Sequence, residues 1–311
     1  MAPRTRNFWF PWSLLAIASA AGVVQAQEAP RRWFVRSDLQ GLASTYGGTA
    51  ERDSLLNFGL FVRADYLERG GFTLGYNRTV LGFEGRSADD ITQDNVFLSG
   101  RLSTTPDWAA GRLTWRLDGY AISNNDASGE TDDVTVVAPQ LSYMNFAQTF
   151  YADLGFARST YGDSVSAQQA LEVDQLTPTL GFGFNEQRDW VQLRAYLISP
   201  SAPERAQNES DTAALEVKWM HWPMSPSFLG VDNYRMSILA GERIYAVDPD
   251  AGTVFNLVDL QTGGASLGAE WAPSERNRIM LIVGVESYEN RIAGLDYDSG
   301  YLYVNFTHLW N

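Results

Sequence analysis

The chain has 311 residues, no cysteine and a formal net charge of −14. Without cysteine it has no disulfides and no lipoprotein-type acyl anchor. Its acidity would repel phosphates, which excludes nucleic acid as an expected partner.

Taken in chain order, Arg4 and Arg6 precede an apolar run from Leu14 to Val24, and Val24-Gln25-Ala26 supplies a small-x-small cleavage site. This pattern predicts a cleaved signal peptide over residues 1–26. The run is shorter than the ~18–20 residues of a spanning helix. No later stretch approaches a transmembrane helix, and no linker or helical repeat divides the remainder. Residues 27–311 are therefore expected to form a single domain, and any membrane crossing falls to strands.

Period-two alternation between turn signals predicts about fourteen strands, within a range of about 12–16. Their cores fall at 33–46, 55–66, 71–82, 94–104, 111–123, 134–145, 149–160, 171–184, 190–199, 211–222, 235–247, 257–271, 278–288 and 300–310. The second sets Leu56, Phe58, Leu60 and Val62 against Asn57, Gly59, Arg63 and Asp65. The ninth sets Val191, Leu193, Ala195 and Leu197 against Gln192, Arg194 and Tyr196. The eleventh and twelfth have ambiguous faces, where a slipped register would exchange inner and outer residues.

The connectors alternate in length. Those after odd strands, such as 84–93, 124–133, 162–170 and 199–210, are long, polar and mostly acidic; those after even strands are short. Trp33, Trp108, Trp190, Trp219, Trp222, Trp271 and Trp310 all fall at the short-turn end, where indole rings would form an interface girdle. The segment 222–234 is the exception, a long connector on the short-turn side that could dock a periplasmic partner or form an irregular turn stopped by its prolines.

The last run, 301–310, places Leu302, Val304, Phe306 and Trp310 on one face and Tyr301, Tyr303, Asn305 and Thr307 on the other. Together with the leader and the repeated alternation, it resembles the terminal strand of a Gram-negative outer-membrane β-barrel. The resemblance implies an all-β fold, a transmembrane antiparallel up-and-down barrel with both termini in the periplasm. Outer-membrane lipids, lipopolysaccharide and the barrel-assembly machinery are the partners it implies.

Charges placed on a lipid face would cost about 2–4 kcal/mol each at the midplane, so charged strand residues are assigned to the lumen. They are Arg36, Asp38, Arg63, Asp65, Arg101, Arg112, Arg116, Asp118, Asp153, Arg194, Glu216, Lys218 and Glu286. Either they line a water-filled pore or they neutralise one another in a packed lumen. Cations gather on the first five strands and acids on later ones, a division that can sort solutes by a transverse field.

No catalytic residue is assigned. The two histidines, His221 and His308, map to the short-turn end, and no G-x-S-x-G or H-E-x-x-H motif occurs. A pairing of His221 with a serine in 224–227 is the weak enzymatic option, a lipid-modifying hydrolase. The acidic runs at 126–133 and 248–250 lack calcium-loop spacing and read as solvated, mutually repelling loops, with divalent bridging to lipopolysaccharide as the alternative. No metal or cofactor is expected. The functional expectation is a porin-like channel for small polar solutes, with an export-system portal as the alternative.

Overall fold

The structure is a computed structural model that describes residues 33–48, 52–67, 69–84, 90–165, 169–224, 227 and 229–310. The signal-peptide expectation lies outside these residues. Eleven strands run in succession: β1 (Trp33–Gly47), β2 (Arg52–Tyr66), β3 (Gly70–Phe83), β4 (Ile91–Thr104), β5 (Gly111–Asn124), β6 (Val134–Asn145), β7 (Phe150–Tyr161), β8 (Leu171–Phe184), β9 (Asp189–Pro200), β10 (Thr212–His221) and β11 (Asn233–Arg243). Two short strands follow, β12 (Val247–Asp248) and β13 (Thr253–Val254), and then β14 (Leu260–Ser274), β15 (Asn277–Asn290) and β16 (Leu295–Leu309).

Fourteen of these close an antiparallel barrel, with each strand beside its neighbour in the chain and β16 returning to β1. The seam runs from Arg36 opposite Leu309 to Gly47 opposite Asp298, so none of the fourteen barrel strands is an edge strand. The alternation that shapes each strand also sorts the two faces. Leu56, Phe58, Leu60 and Val62 point outward and are exposed, whereas Phe61 between them is buried inside. Leu98, Trp115, Leu154, Leu180, Leu215, Leu267, Val283 and Leu302 continue this apolar outer band around the barrel. An exposed hydrophobic belt of this extent suits hydrocarbon, not water. Substituting Leu60 with arginine should cost about 2–4 kcal/mol in a bilayer, measured by urea unfolding in vesicles.

Outward charges cluster where the belt ends, on the side of the long connectors. Arg158 pairs with Asp174 at 2.7 Å, and Asp94 accepts a hydrogen bond from Tyr76 at 2.6 Å.

The last strand begins at Leu295 and not at 300, and most others shift by one to three residues at an end, but the eleventh and twelfth differ in a way that changes the fold. The eleventh ends at Arg243 and not at 247, and the twelfth begins at Leu260 and not at 257. The residues between them leave the wall and fold into the barrel. Ile244, Tyr245, Ala246 and Val247 are buried on both faces, which no wall strand with a lipid side can be.

Candidate functional site: a loop folded into the barrel

The inward segment, residues 244–259, starts from a disrupted ladder. Pairing of β11 with β14 shifts between Ala240 and Arg243, and Gly241 takes a φ of +101°, a conformation that glycine adopts without a Cβ penalty. The chain then makes a small hairpin, with Val247 opposite Val254 and Asp248 opposite Thr253. Asp248 caps its tip by accepting the backbone N–H of Asp250 at 2.9 Å. Gly252, at φ +62°, brings the tip backbone up to the rings of Phe61 and Phe97.

Specific polar contacts hold the tip. The Asp250 carboxylate receives both terminal nitrogens of Arg194, at 2.8 and 3.0 Å, and Nζ of Lys218 at 2.8 Å. Arg116 donates to the Pro249 carbonyl at 2.9 Å. Gln175 clasps Val247 from both sides, donating to its carbonyl at 2.8 Å and accepting from its N–H at 2.9 Å. Burial alone would raise the Asp250 carboxyl pKa, but the Lys218 and Arg194 charges outweigh it and hold it well below the usual carboxylate range. Apolar contact completes the seat. Tyr245 lies against Tyr161 with ring centroids 4.9 Å apart, within a buried cluster that includes Ile122, Val134, Val136, Leu171, Val173 and Ile198. At the return limb Asn256 donates to Gln93 and to the Thr131 carbonyl, both at 2.7 Å, and Asp259 takes Tyr297, Asn290 and Arg52 as partners.

The loop therefore hugs the wall from β4 to β10, and space remains on the other side. A cavity of about 480 Å³ lies between the loop and the inner faces of β14–β16 and β1–β3. Aliphatic and tyrosine side chains dominate its wall, among them Leu42, Met280, Ile282, Tyr301 and Tyr303, with Phe255 on the loop side.

The charged strand residues named from sequence stand on the inner face, opposite the exposed apolar positions of their strands. Four same-strand pairs form contacts: Arg36–Asp38 at 3.2 Å, Arg63–Asp65 at 2.9 Å, Arg116–Asp118 at 2.7 Å and Lys218–Glu216 at 3.3 Å. Arg101 joins Asp65 at 2.8 Å, and Glu286 accepts from Tyr288 at 2.6 Å. Arg112 and Asp153 share the inner face, Asp153 lying opposite Ser142. Sequence reasoning missed a further inner cluster, in which Glu270 binds Arg235 at 2.6 Å and Arg278 at 2.9 Å. The alternation of Met236 and Ile238 with Arg235 and Ser237 could have revealed it, but the faces of these strands were ambiguous.

The tryptophans divide. Trp33, Trp108, Trp222 and Trp310 are exposed at the end that carries the short turns, Trp219 donates to Asp189 on the outer face, and Trp271 donates to the Leu229 carbonyl. Trp190 turns inward and covers Gly181 and Gly183 of β8; a Cβ at Gly181 would collide with its ring, and one at Gly183 would crowd it. The acidic runs are also not free, repelling loops. Asp248 and Asp250 pair with Arg194, Glu130 pairs with Arg205 at 2.9 Å, and Asp126 accepts from Ser128. His221 pairs with Asp189 and His308 with Asn277, both at 2.8 Å. Among the described residues no group of three or more side chains is placed to hold a metal ion. In the connector 222–232, residues 225, 226 and 228 lie outside the description; Trp222 is tied to the Arg188 carbonyl at 2.8 Å.

The sequence matches no protein-family model and no curated protein. The fold is similar to that of a deltaS2 mutant of the TodX monoaromatic hydrocarbon channel, at 10% identity over 91% of each chain with a TM-score of 0.54. It is also similar to the CymD monoaromatic hydrocarbon channel, at 9% identity over 89% of each chain with a TM-score of 0.53. At such identities the likeness is one of fold.

Proposed function

We propose that this chain is a channel of the Gram-negative outer membrane that passes small organic solutes passively, with the inward loop as its constriction. The observation that carries this reading is the seating of residues 244–259. The loop is fixed to one side of the lumen by Asp250, Arg194, Lys218 and Gln175, and a 480 Å³ cavity is left beside it. A packed structural barrel has no need of a loop held off half of its inner wall. The short turns and both strand termini then face the periplasm, and the long connectors face the outside. The similar folds of channels named for monoaromatic hydrocarbons support a channel. The mixed tyrosine and aliphatic lining widens the expected solutes beyond strictly polar ones.

Planar-bilayer recording of the refolded chain tests it. Discrete conductance steps are expected, small for a fourteen-stranded barrel because the loop narrows the path. A barrel that is folded by heat-shifted gel migration yet electrically silent would overturn the channel reading.

A further inference from the structure

The inner wall from β1 to β5 shows mainly one sign of charge to the lumen. Arg36 stands directly opposite Arg63 across β1 and β2, and Arg101 directly opposite Arg116 across β4 and β5. Like charges in opposed positions destabilise a sheet, so a network selected only for mutual neutralisation would avoid this register. The counter-ions lie beneath the cations. The side chains of Arg36, Arg63, Arg101 and Arg116 are 43, 25, 33 and 26% exposed, whereas Asp38, Asp65 and Asp118 are 12, 19 and 2% exposed. Further round the wall, beyond β16, Arg235 and Arg278, at 34 and 52%, overlie a single Glu270 at 14%. A guanidinium carries five donors, and one carboxylate edge engages two of them, so the outer edges face the passage.

This local excess runs against the net charge of the whole chain, −14. Of the acids lining the cavity, Asp248 and Asp250 are paired with Arg194, and Asp250 also with Lys218, while Asp126 and Glu286 accept hydrogen bonds from the neutral hydroxyls of Ser128 and Tyr288 and keep their charge. The cavity adjoins Arg52, Lys218 and Arg235, and its lining mixes apolar and tyrosine side chains with amides and hydroxyls. Its volume lies within the roughly 300–1,000 Å³ of small-ligand sites.

We infer that the lumen selects small organic anions, a carboxylate on an apolar or aromatic body. The inference rests on the channel reading and names its solute class. The body occupies the cavity beside the loop, while the carboxylate pairs with a free guanidinium edge and is handed to the next arginine. Several weak cationic sites in series favour entry without trapping the solute.

The test is the zero-current potential of the full mature chain in a bilayer under a KCl gradient, followed by addition of benzoate or of uncharged benzyl alcohol. Anion preference is expected, with benzoate depressing the chloride current and benzyl alcohol leaving it unchanged. Replacing Arg63 and Arg101 together by glutamine should lower the anion-to-cation permeability ratio severalfold, whereas the paired Arg→Lys variant should keep it. Cation preference in the wild-type chain, or a ratio unmoved by the glutamines, overturns the inference while leaving the channel intact. Anion preference with no response to benzoate overturns the organic solute class. Silence in every salt overturns the channel reading and this inference with it. The wild-type potentials decide the sign even if a variant does not fold.

Discussion

Replacing Asp250 with alanine is expected to free the tip of the inward loop and raise single-channel conductance, with added current noise. The carboxylate is the shared counter-ion of Arg194 and Lys218, and Arg194 is buried in the wall. Removing it leaves Arg194 with a hydrogen bond to Thr179 at 3.2 Å and the more distant Asp248 carboxylate at 3.7 Å. Breaking a fully buried pair costs about 3–5 kcal/mol. Asp250 is 47% exposed, so solvent screening reduces the expected loss of loop anchoring to about 1–3 kcal/mol. At about 1.4 kcal/mol per tenfold, that raises the detached population by one to two orders of magnitude. The barrel itself should keep its unfolding midpoint, because its ladder does not pass through the loop.

The same contact fixes a pH dependence. The folded Asp250 carboxyl lies below its unfolded value, so its stabilisation is fully present above the unfolded pKa of about 3.9. It is lost only as pH falls through the lower, folded value. The loop should therefore stay seated, with no added current noise, as the pH is lowered through the ordinary carboxylate range. A loop that releases near pH 4 would show that the ion pair does not hold it.

The barrel was legible because a wall strand obeys one rule along its whole length. Leu56, Phe58, Leu60 and Val62 must meet lipid, so their alternation survives in the sequence, and the same period places Arg63 and Asp65 together inside. The inward loop was not legible for the converse reason. Tyr245 and Val247 continue the alternation of β11, and only their burial on both sides separates them from a wall strand. The run Asp248-Pro249-Asp250-Ala251-Gly252 reads locally as a solvated acidic turn, and its partners Arg194 and Lys218 come from strands far earlier in the chain. The inward turn of Trp190 follows from the same alternation, which sets it on the face of Gln192, Arg194 and Tyr196, but its hollow over Gly181 and Gly183 depends on the register of the adjacent strand. Same-strand Arg–Asp pairs follow from spacing alone; which member is buried depends on the neighbouring strands.

Arg205 offers the second large effect, at the outer mouth of the barrel. It ends a short 3-10 turn, Pro203–Arg205, and its buried guanidinium ties its own connector to two others. It donates to the Glu130 carboxylate at 2.9 Å and to the carbonyls of Gly162 at 2.8 Å, Gln169 at 2.7 Å and Glu130 at 3.0 Å. Its own carbonyl accepts the Tyr245 hydroxyl at 2.6 Å, so the side chain also steadies the root of the inward loop. Alanine at this position would take the guanidinium away from a largely buried carboxylate and several carbonyls, a local cost of about 3–5 kcal/mol. The expected result is proteolytic cleavage within 125–133 and 201–211 in a barrel that still migrates as folded, together with noisier conductance. Lysine should rescue little, because one ammonium cannot serve carbonyls on opposite sides of a planar five-donor group. If Arg205→Lys restored full protease resistance, the charge opposite Glu130 would be the whole of the contact. If Arg205→Ala left the connectors intact, the apolar seat of Tyr245 against Tyr161 would be sufficient to order the mouth.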